Sequence, residues 1–384
     1  MSLLSGTCGS EKCFNYLLIA DMKKGKRVLL FIDSMEAGGA QRQMAYLACL
    51  LMQRGYVVKI ITYGDNSFYA PMLKSGGVST EEIKGADSYI KRIPKVKIAI
   101  DEFKPDCVIS FLDTPCMIAS LIKAVYRKEW RLVVSERNTT QKMTLRERIK
   151  FYLYKYADAI VPNSHSQEKF IIKQYPHFIK KTRTIVNLVD LEKFHPVKKT
   201  LDSNQLQIMV AATLWPPKNA LRLIRAIKEV VNKGFVNFQV KWYGHSGSEY
   251  EMECNKLIKE LGLNNYVKLL PKSQNIVEKY QEADWFCLPS FYEGTPNVIC
   301  EAMACGLPVI CSDVCDNHYY VKPGVNGFLF NPNSVENMAD IIIKALDVSK
   351  DKMWKMGDKS RIIAEKQLSA ERFIDEYCSV IDAL

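Results

Sequence analysis

Several familiar signals are missing from this 384-residue chain. No apolar run reaches the roughly 18 residues needed to cross a bilayer. The longest early one, residues 13–20, lacks a small-residue cleavage site, so neither a membrane span nor a secretory leader is expected. There is no Cys-x-x-Cys pair among the twelve cysteines. Cys300, Cys305, Cys311 and Cys315 cluster, but no His or second pair completes a zinc spacing. The cysteines therefore read as free, buried thiols of a reducing cytoplasm. After the first apolar run the chain reads SMEAGGAQRQ, which is not the Gly-x-Gly-x-x-Gly of a dinucleotide-binding oxidoreductase. Short repeats and low-complexity tracts are also absent.

What is present is ordinary for a globular protein: 48% hydrophobic and 25% charged residues, with 19 Gly and 15 Pro. The length exceeds one typical core and predicts two domains. The net charge of +11 is uneven, with +14 in residues 1–200 and −3 in residues 201–384. A basic half predicts an anionic partner: phosphate, membrane surface or nucleic acid.

Apolar β-rich runs at 27–32, 57–62, 107–111, 132–135 and 159–161 alternate with amphipathic stretches such as 41–54 and 117–126. That rhythm predicts βαβ units and a parallel sheet covered on both faces. It stops at the polar segment 195–205, which suits a linker, and resumes with runs at 207–213, 238–243, 266–270, 285–288 and 308–311. The expected fold class is therefore α/β, with two Rossmann-like doubly wound domains facing a cleft. Their bounds are 26–200 and 206–365, and a helical pattern over 366–384 is expected to pack back on the first domain. Met22 opens MKKGKRVLLFI and reads as a natural start, which makes residues 1–25 an extension and 1–21 dispensable.

The most informative segment is DWFCLPSFYEGTPNVICEAMACGLPVICSD, residues 284–313. Thr295 suits an N-cap, Pro296 the first helical position, and Gly306 the residue past the helix end. Such a helix start offers free N–H groups and partial positive charge to a diphosphate, unless the Thr295 hydroxyl satisfies an amide there. Glu293 and Glu301 would flank it as acceptors for sugar or ribose hydroxyls. The same pattern also fits a capped helix with a solvated Glu at each end.

This segment, Glu293-x7-Glu301, resembles the E-x7-E signature of retaining GT-B glycosyltransferases of family 4. VNLVDLEKFHP (186–196) resembles that family's approach to the interdomain linker, and MEAGGAQRQMAYLACLL (35–51) its N-terminal glycine loop and helix. The resemblance runs in order over residues 26 to about 345. It implies that Glu301 binds the nucleotide ribose and that Glu293 lies beside the donor sugar. Backbone amides of Gly294, Thr295, Pro296–Asn297 and Val298 would contact sugar and phosphate. Gly38 and Gly39 would admit the β-phosphate where a Cβ would obstruct it. Pro271 and Lys272 would meet the base. Where the family commonly has Arg and Lys on the diphosphate, this chain has Thr213 and Lys218. Where many relatives carry a His near the reacting carbon, it has Arg137, which would instead bind phosphate or an anionic sugar, or form a surface salt bridge. His165 and His245 read as loop or turn residues.

The implied function is retaining transfer of a hexose or N-acetylhexosamine from a UDP- or GDP-type sugar to a lipid-linked or polysaccharide glycan, as in lipopolysaccharide, capsule or exopolysaccharide biosynthesis. Glu293, Lys218 and Arg137 are the expected catalytic residues. No cofactor is expected. No Asp-x-Asp is present to hold a divalent ion, so metal independence is expected, with Lys218 and the helix start serving instead. The basic, aromatic stretch RERIKFYLYKY (146–156) makes an anionic membrane surface a further candidate partner, against a reading in which its aromatics pack inward. A cytoplasmic enzyme, peripheral at the inner face of the membrane, is the expected setting. A GT-B nucleotide-sugar epimerase or hydrolase is the alternative. A non-enzymatic nucleic-acid or anionic-surface binder would explain the charge but not the paired Glu segment.

Overall fold

Among the described residues, twelve short strands build two parallel six-stranded sheets. The structure is a computed structural model that describes residues 25–86, 88–140, 142–197, 205–245 and 247–383. Residues 1–24 of the expected extension, with the Met22 start, and 198–204 of the expected linker lie outside the described residues.

The first sheet comprises β1 (Arg27–Phe31), β2 (Val57–Thr62), β3 (Ser79–Glu82), β4 (Cys107–Phe111), β5 (Arg131–Ser135) and β6 (Ala159–Ile160). The second comprises β7 (Leu206–Ala211), β8 (Phe238–Tyr243), β9 (Val267–Leu270), β10 (Trp285–Leu288), β11 (Val309–Ser312) and β12 (Gly327–Phe330). Their orders are β3-β2-β1-β4-β5-β6 and β12-β11-β10-β7-β8-β9, so one pattern is used twice. Helices fill the crossovers and cover both faces, which is why central strands such as β4 (CVISF) are buried at every residue.

Two strands were not legible as strands. β3 reads STEE, polar and largely exposed at a sheet edge. β12 reads GFLF, four residues opening on a glycine at the other sheet's edge. A Cβ on Gly327 would stand 1.9 Å from the Val309 carbonyl oxygen, so only glycine lets β12 lie this close to β11.

Each lobe borrows from beyond its own run of sequence. Phe373, Ile374, Tyr377, Val380 and Ile381 of the Ala370–Ala383 helix join the core of the first lobe with Leu30, Ile60 and Phe111. Full burial of one such side chain is worth about 1.5–3 kcal/mol. Conversely, Val186, Val189 and Phe194 sit in the second lobe's core with Phe286 and Ile299. Cys107, Cys116, Cys254, Cys287, Cys300 and Cys311 are buried thiols. Burial pushes the Cys300 and Cys311 thiols above their ordinary range, which keeps them unreactive.

Candidate functional site

In a doubly wound sheet, ligands bind beyond the strand carboxyl ends where the order reverses. The second sheet reverses between β7 and β10, and the loops leaving those strands carry Lys218 and Glu293. Backbone and side-chain bonds sew the two loops together. The Phe291 amide donates to the Pro217 carbonyl at 2.9 Å. The Asn219 side chain donates to the Pro289 and Pro332 carbonyls, both at 3.0 Å, from a left-handed backbone that asparagine tolerates. Lys218 Nζ thereby lies 2.6 Å from Glu293 Oε1, with both side chains only partly exposed.

The next element is the Asn297–Ala304 helix. Pro296 takes the capping position rather than the first helical one, and no side chain caps the helix. The Thr295 hydroxyl does not serve a helix amide: it donates to the Asn163 carbonyl of the first lobe. Backbone carbonyls take three of its first four amides, Asn297 N donating to Thr295 O at 2.9 Å and Ile299 N and Cys300 N to Pro296 O at 2.9 and 3.1 Å, so the start offers a ligand the Val298 N–H and its partial positive charge. The far end is closed by Gly306, in left-handed conformation, with Gly306 N bonded to Met303 O and Leu307 N to Ala302 O.

Gly39 opens the Gly39–Gln53 helix of the first lobe, and a Cβ there would come within 3.2 Å of the Asn297 side-chain nitrogen Nδ2. At Gly38 a Cβ would meet the flexible Gln41 side chain. Two helix starts from different lobes thus stand against each other. One turn further, Arg42 reaches across to Glu301, Nη2 to Oε1 at 2.7 Å, while Tyr280 donates to Glu301 Oε2 at 3.1 Å. Glu301 is 6% exposed, and the partly exposed Arg42 and the buried Tyr280 hold one oxygen each of its carboxylate.

Further bonds fix the lobes around this point. Thr139 donates to the Glu293 carbonyl at 3.2 Å, and Asn187 Nδ2 to Asn297 Oδ1 at 2.8 Å. Asp316 of the second lobe, fully buried, accepts from the His165 and Ser166 amides at 2.6 and 2.8 Å. Its carboxylate thus sits on the start of the His165–Gln174 helix, where negative charge is favoured. Arg42, Asn163, Asn187, Tyr280 and Asp316 are contributors that the linear reading missed. Only Arg42 left a signal, three residues past a glycine pair and so on the same helix face.

Arg137 requires a correction. It is not an open cleft cation but is 8% exposed, with Nη1 donating to Asn187 Oδ1 at 2.8 Å, Nη2 donating to the Tyr377 hydroxyl, and its plane 3.7 Å over the Phe111 ring. The C-terminal helix, far away in sequence, covers it. Burial pulls it below its ordinary pKa, against the opposing pull of Tyr377. Thr213 follows β7, half-buried, and Pro271 and Lys272 stand exposed just after β9. Gly294 lies half-buried beside Thr139, and Val298 half-buried in the first turn of its helix. His245, just after β8, has Nδ1 2.6 Å from Glu251 Oε1.

The 146–156 stretch divides its aromatics. Phe151 and Tyr154 are buried, and Lys150 turns inward to Glu136 at 2.9 Å. Leu145, Ile149, Tyr152 and Tyr156 are exposed at spacings of four, three and four, which is one helical stripe, flanked by exposed Arg146, Arg148 and Lys155. A hollow of about 390 Å³ beside it is lined by Arg148, Lys155 and His177 among Tyr152, Tyr175 and Phe178.

Comparison with known proteins bears on both lobes. The family model for Glycosyltransferase Family 4 matches residues 37–193, and that for Glycosyl transferases group 1 matches residues 192–362. An uncharacterized glycosyltransferase of Haemophilus influenzae is 25% identical over 374 residues, 93% of this chain and all of that one. A Campylobacter jejuni N-acetylgalactosamine-N,N'-diacetylbacillosaminyl-diphospho-undecaprenol 4-alpha-N-acetylgalactosaminyltransferase is 27% identical over 302 residues, 74% of this chain and 80% of that one. Among solved structures, Anabaena HepE in complex with UDP superposes with a TM-score of 0.80 at 20% identity, covering 93% of this chain and all of its own.

Proposed function

From the premise that the chain belongs to the family 4-like GT-B glycosyltransferases, we propose that it moves a hexose or N-acetylhexosamine, with retention, from a UDP- or GDP-type sugar to a lipid-linked or polysaccharide glycan. The observation that carries this reading is the 2.6 Å Lys218–Glu293 pair at the second switch point, beside an uncapped helix start. A diphosphate there would meet an ammonium, the Val298 N–H and the partial positive charge of the helix start. On this reading Glu293 accepts from sugar hydroxyls, and Glu301 from the ribose.

The chemistry asks for little else. The acceptor hydroxyl oxygen forms a bond to the anomeric carbon on the face from which the diphosphate leaves. The carbon–phosphate-oxygen bond breaks, and the departing phosphate takes the hydroxyl proton. The protein aligns the partners and stabilises charge on the leaving group with Lys218 and the helix start. On this reading no divalent ion is needed. Activity should persist in EDTA, and its complete loss, reversed by Mn²⁺ or Mg²⁺, would contradict the scheme.

The relative from Campylobacter carries an undecaprenol-linked acceptor in its name, which supports a lipid-linked acceptor here. The exposed apolar stripe at Leu145–Ile149–Tyr152–Tyr156 with its arginine and lysine rim supports docking at an anionic inner-leaflet surface. No helix among the described residues is long and apolar enough to cross a membrane. Nucleotide release is the test, measured over a panel of UDP- and GDP-sugars with and without lipid-linked acceptors. Acceptor-dependent release is expected. Release or sugar inversion at full rate without any acceptor would favour an epimerase or hydrolase. Flotation with vesicles of anionic lipid should show salt-sensitive binding, and its absence would remove the membrane component alone.

A further inference from the structure

Family relatives commonly set two cations on the diphosphate, and Thr213 leaves this chain one short on the second lobe. The first lobe offers a replacement. Arg42 lies on the opening turn of the Gly39–Gln53 helix, its amide bonded to the Gly38 carbonyl at 2.9 Å, so its side chain leaves from the face that carries the glycine pair. Nη2 is 2.7 Å from Glu301 Oε1, while Nε is buried with no acceptor among the described residues. Burial opposes the charge, but the adjacent Glu301 carboxylate outweighs it and holds the guanidinium above its ordinary value.

Two details of this geometry point to a ligand. Arg42 and Tyr280 each occupy one oxygen of Glu301, which leaves a lone pair on each oxygen for the two hydroxyls of a ribose diol. A buried N–H without an acceptor is unfavourable, and Nε is such a group. On a nucleoside diphosphate the first phosphate is one methylene from the ribose ring. An arginine whose outer nitrogen touches the ribose-binding carboxylate therefore has the phosphate oxygens within its span, and its fork can serve a carboxylate and a phosphate together as a lysine cannot.

We propose that Arg42 is the second cation of the donor site, with Nη2 orienting Glu301 and Nε donating to a diphosphate oxygen. This rests on the donor reading above. Because Arg42 comes from the opposite lobe, nucleotide binding and interlobe contact are then one event.

Calorimetry with UDP, GDP, uridine and guanosine on the full chain tests this. The native protein is expected to take up one of the two diphosphates. For that nucleotide, R42Q is expected to weaken the diphosphate tenfold or more while changing the nucleoside less than threefold. R42K, which keeps the charge without the fork, should fall between R42Q and the native protein. Equal weakening of nucleoside and diphosphate would overturn the proposal by reducing Arg42 to an orienter of Glu301. Unchanged diphosphate affinity in folded R42Q would overturn it too. If R42Q fails to fold, R42K decides, and native affinity for the diphosphate in R42K would be the overturning result. A native protein that binds neither nucleotide would instead overturn the donor reading itself, and this inference with it.

Discussion

The two lobes thread six parallel strands in one order, yet the loops at their reversal points carry opposite chemistry. In the proposed site the first lobe would contribute Gly38 and Gly39 by having no side chain to interpose. The second would contribute Lys218, Glu293 and Glu301, which are charged and already ion-paired, Lys218 with Glu293 and Glu301 with Arg42. Net charge runs the other way: the first half carries +14 and the second −3. The basic half has part of its cations at outward positions such as Arg146, Arg148 and Lys155, while the acidic half holds the Lys218 ammonium on Glu293 at a strand end. Net charge thus locates a surface, and a ligand site has to be found from loops at strand ends.

Substitutions can break or sharpen that contrast. Lys218→Ala should have the largest effect, lowering kcat/KM by about two orders of magnitude, as expected for removing a charge aimed at the transition state. A loss under threefold in steady-state kinetics would take Lys218 out of the site. Glu301→Gln should raise the donor KM about tenfold with a smaller change in kcat, since it weakens a charge-assisted contact made before and during reaction. Arg137→Met tests the first lobe and should act on stability. It strands Asn187 and the buried Tyr377 hydroxyl, at a cost of about 3 kcal/mol. Thermal unfolding should show the loss, with kcat/KM per folded molecule changing less than threefold; a native-like Tm with collapsed activity would restore Arg137 to the catalytic group. Smallest of all, removal of residues 1–21 should leave activity and Tm unchanged, and a large fall in either would refute their dispensability.

Most of the scaffold was legible because its central strands are unbroken apolar runs bounded by turn residues. The exceptions have physical causes. β3 gains little from burial and pairs along one edge only, so STEE carries no apolar signal. β12 depends on a backbone approach that a glycine permits, which no periodicity records. At the site, Glu293, Lys218 and the glycine pair stand close to loop or helix ends, where local spacing speaks. The pairing of Arg42 with Glu301 spans 259 positions, and the cover that Tyr377 gives Arg137 spans 240. No local pattern reports such contacts. The Thr295 hydroxyl was open to two readings from the sequence, and it was the neighbouring lobe's Asn163 that decided between them.

The exchange of segments between lobes bears on how such enzymes diversify. A gene fusion cut near residue 200 and joining this front half to a foreign back half would leave the front without Phe373, Tyr377 and Ile381, and with Val186, Val189 and Phe194 searching for a hollow in the newcomer. Grafts that change the acceptor while preserving the donor therefore have two seams to match, one at the crossover and one before the last helix. The closing fourteen residues travel with the half they cover rather than the half they follow.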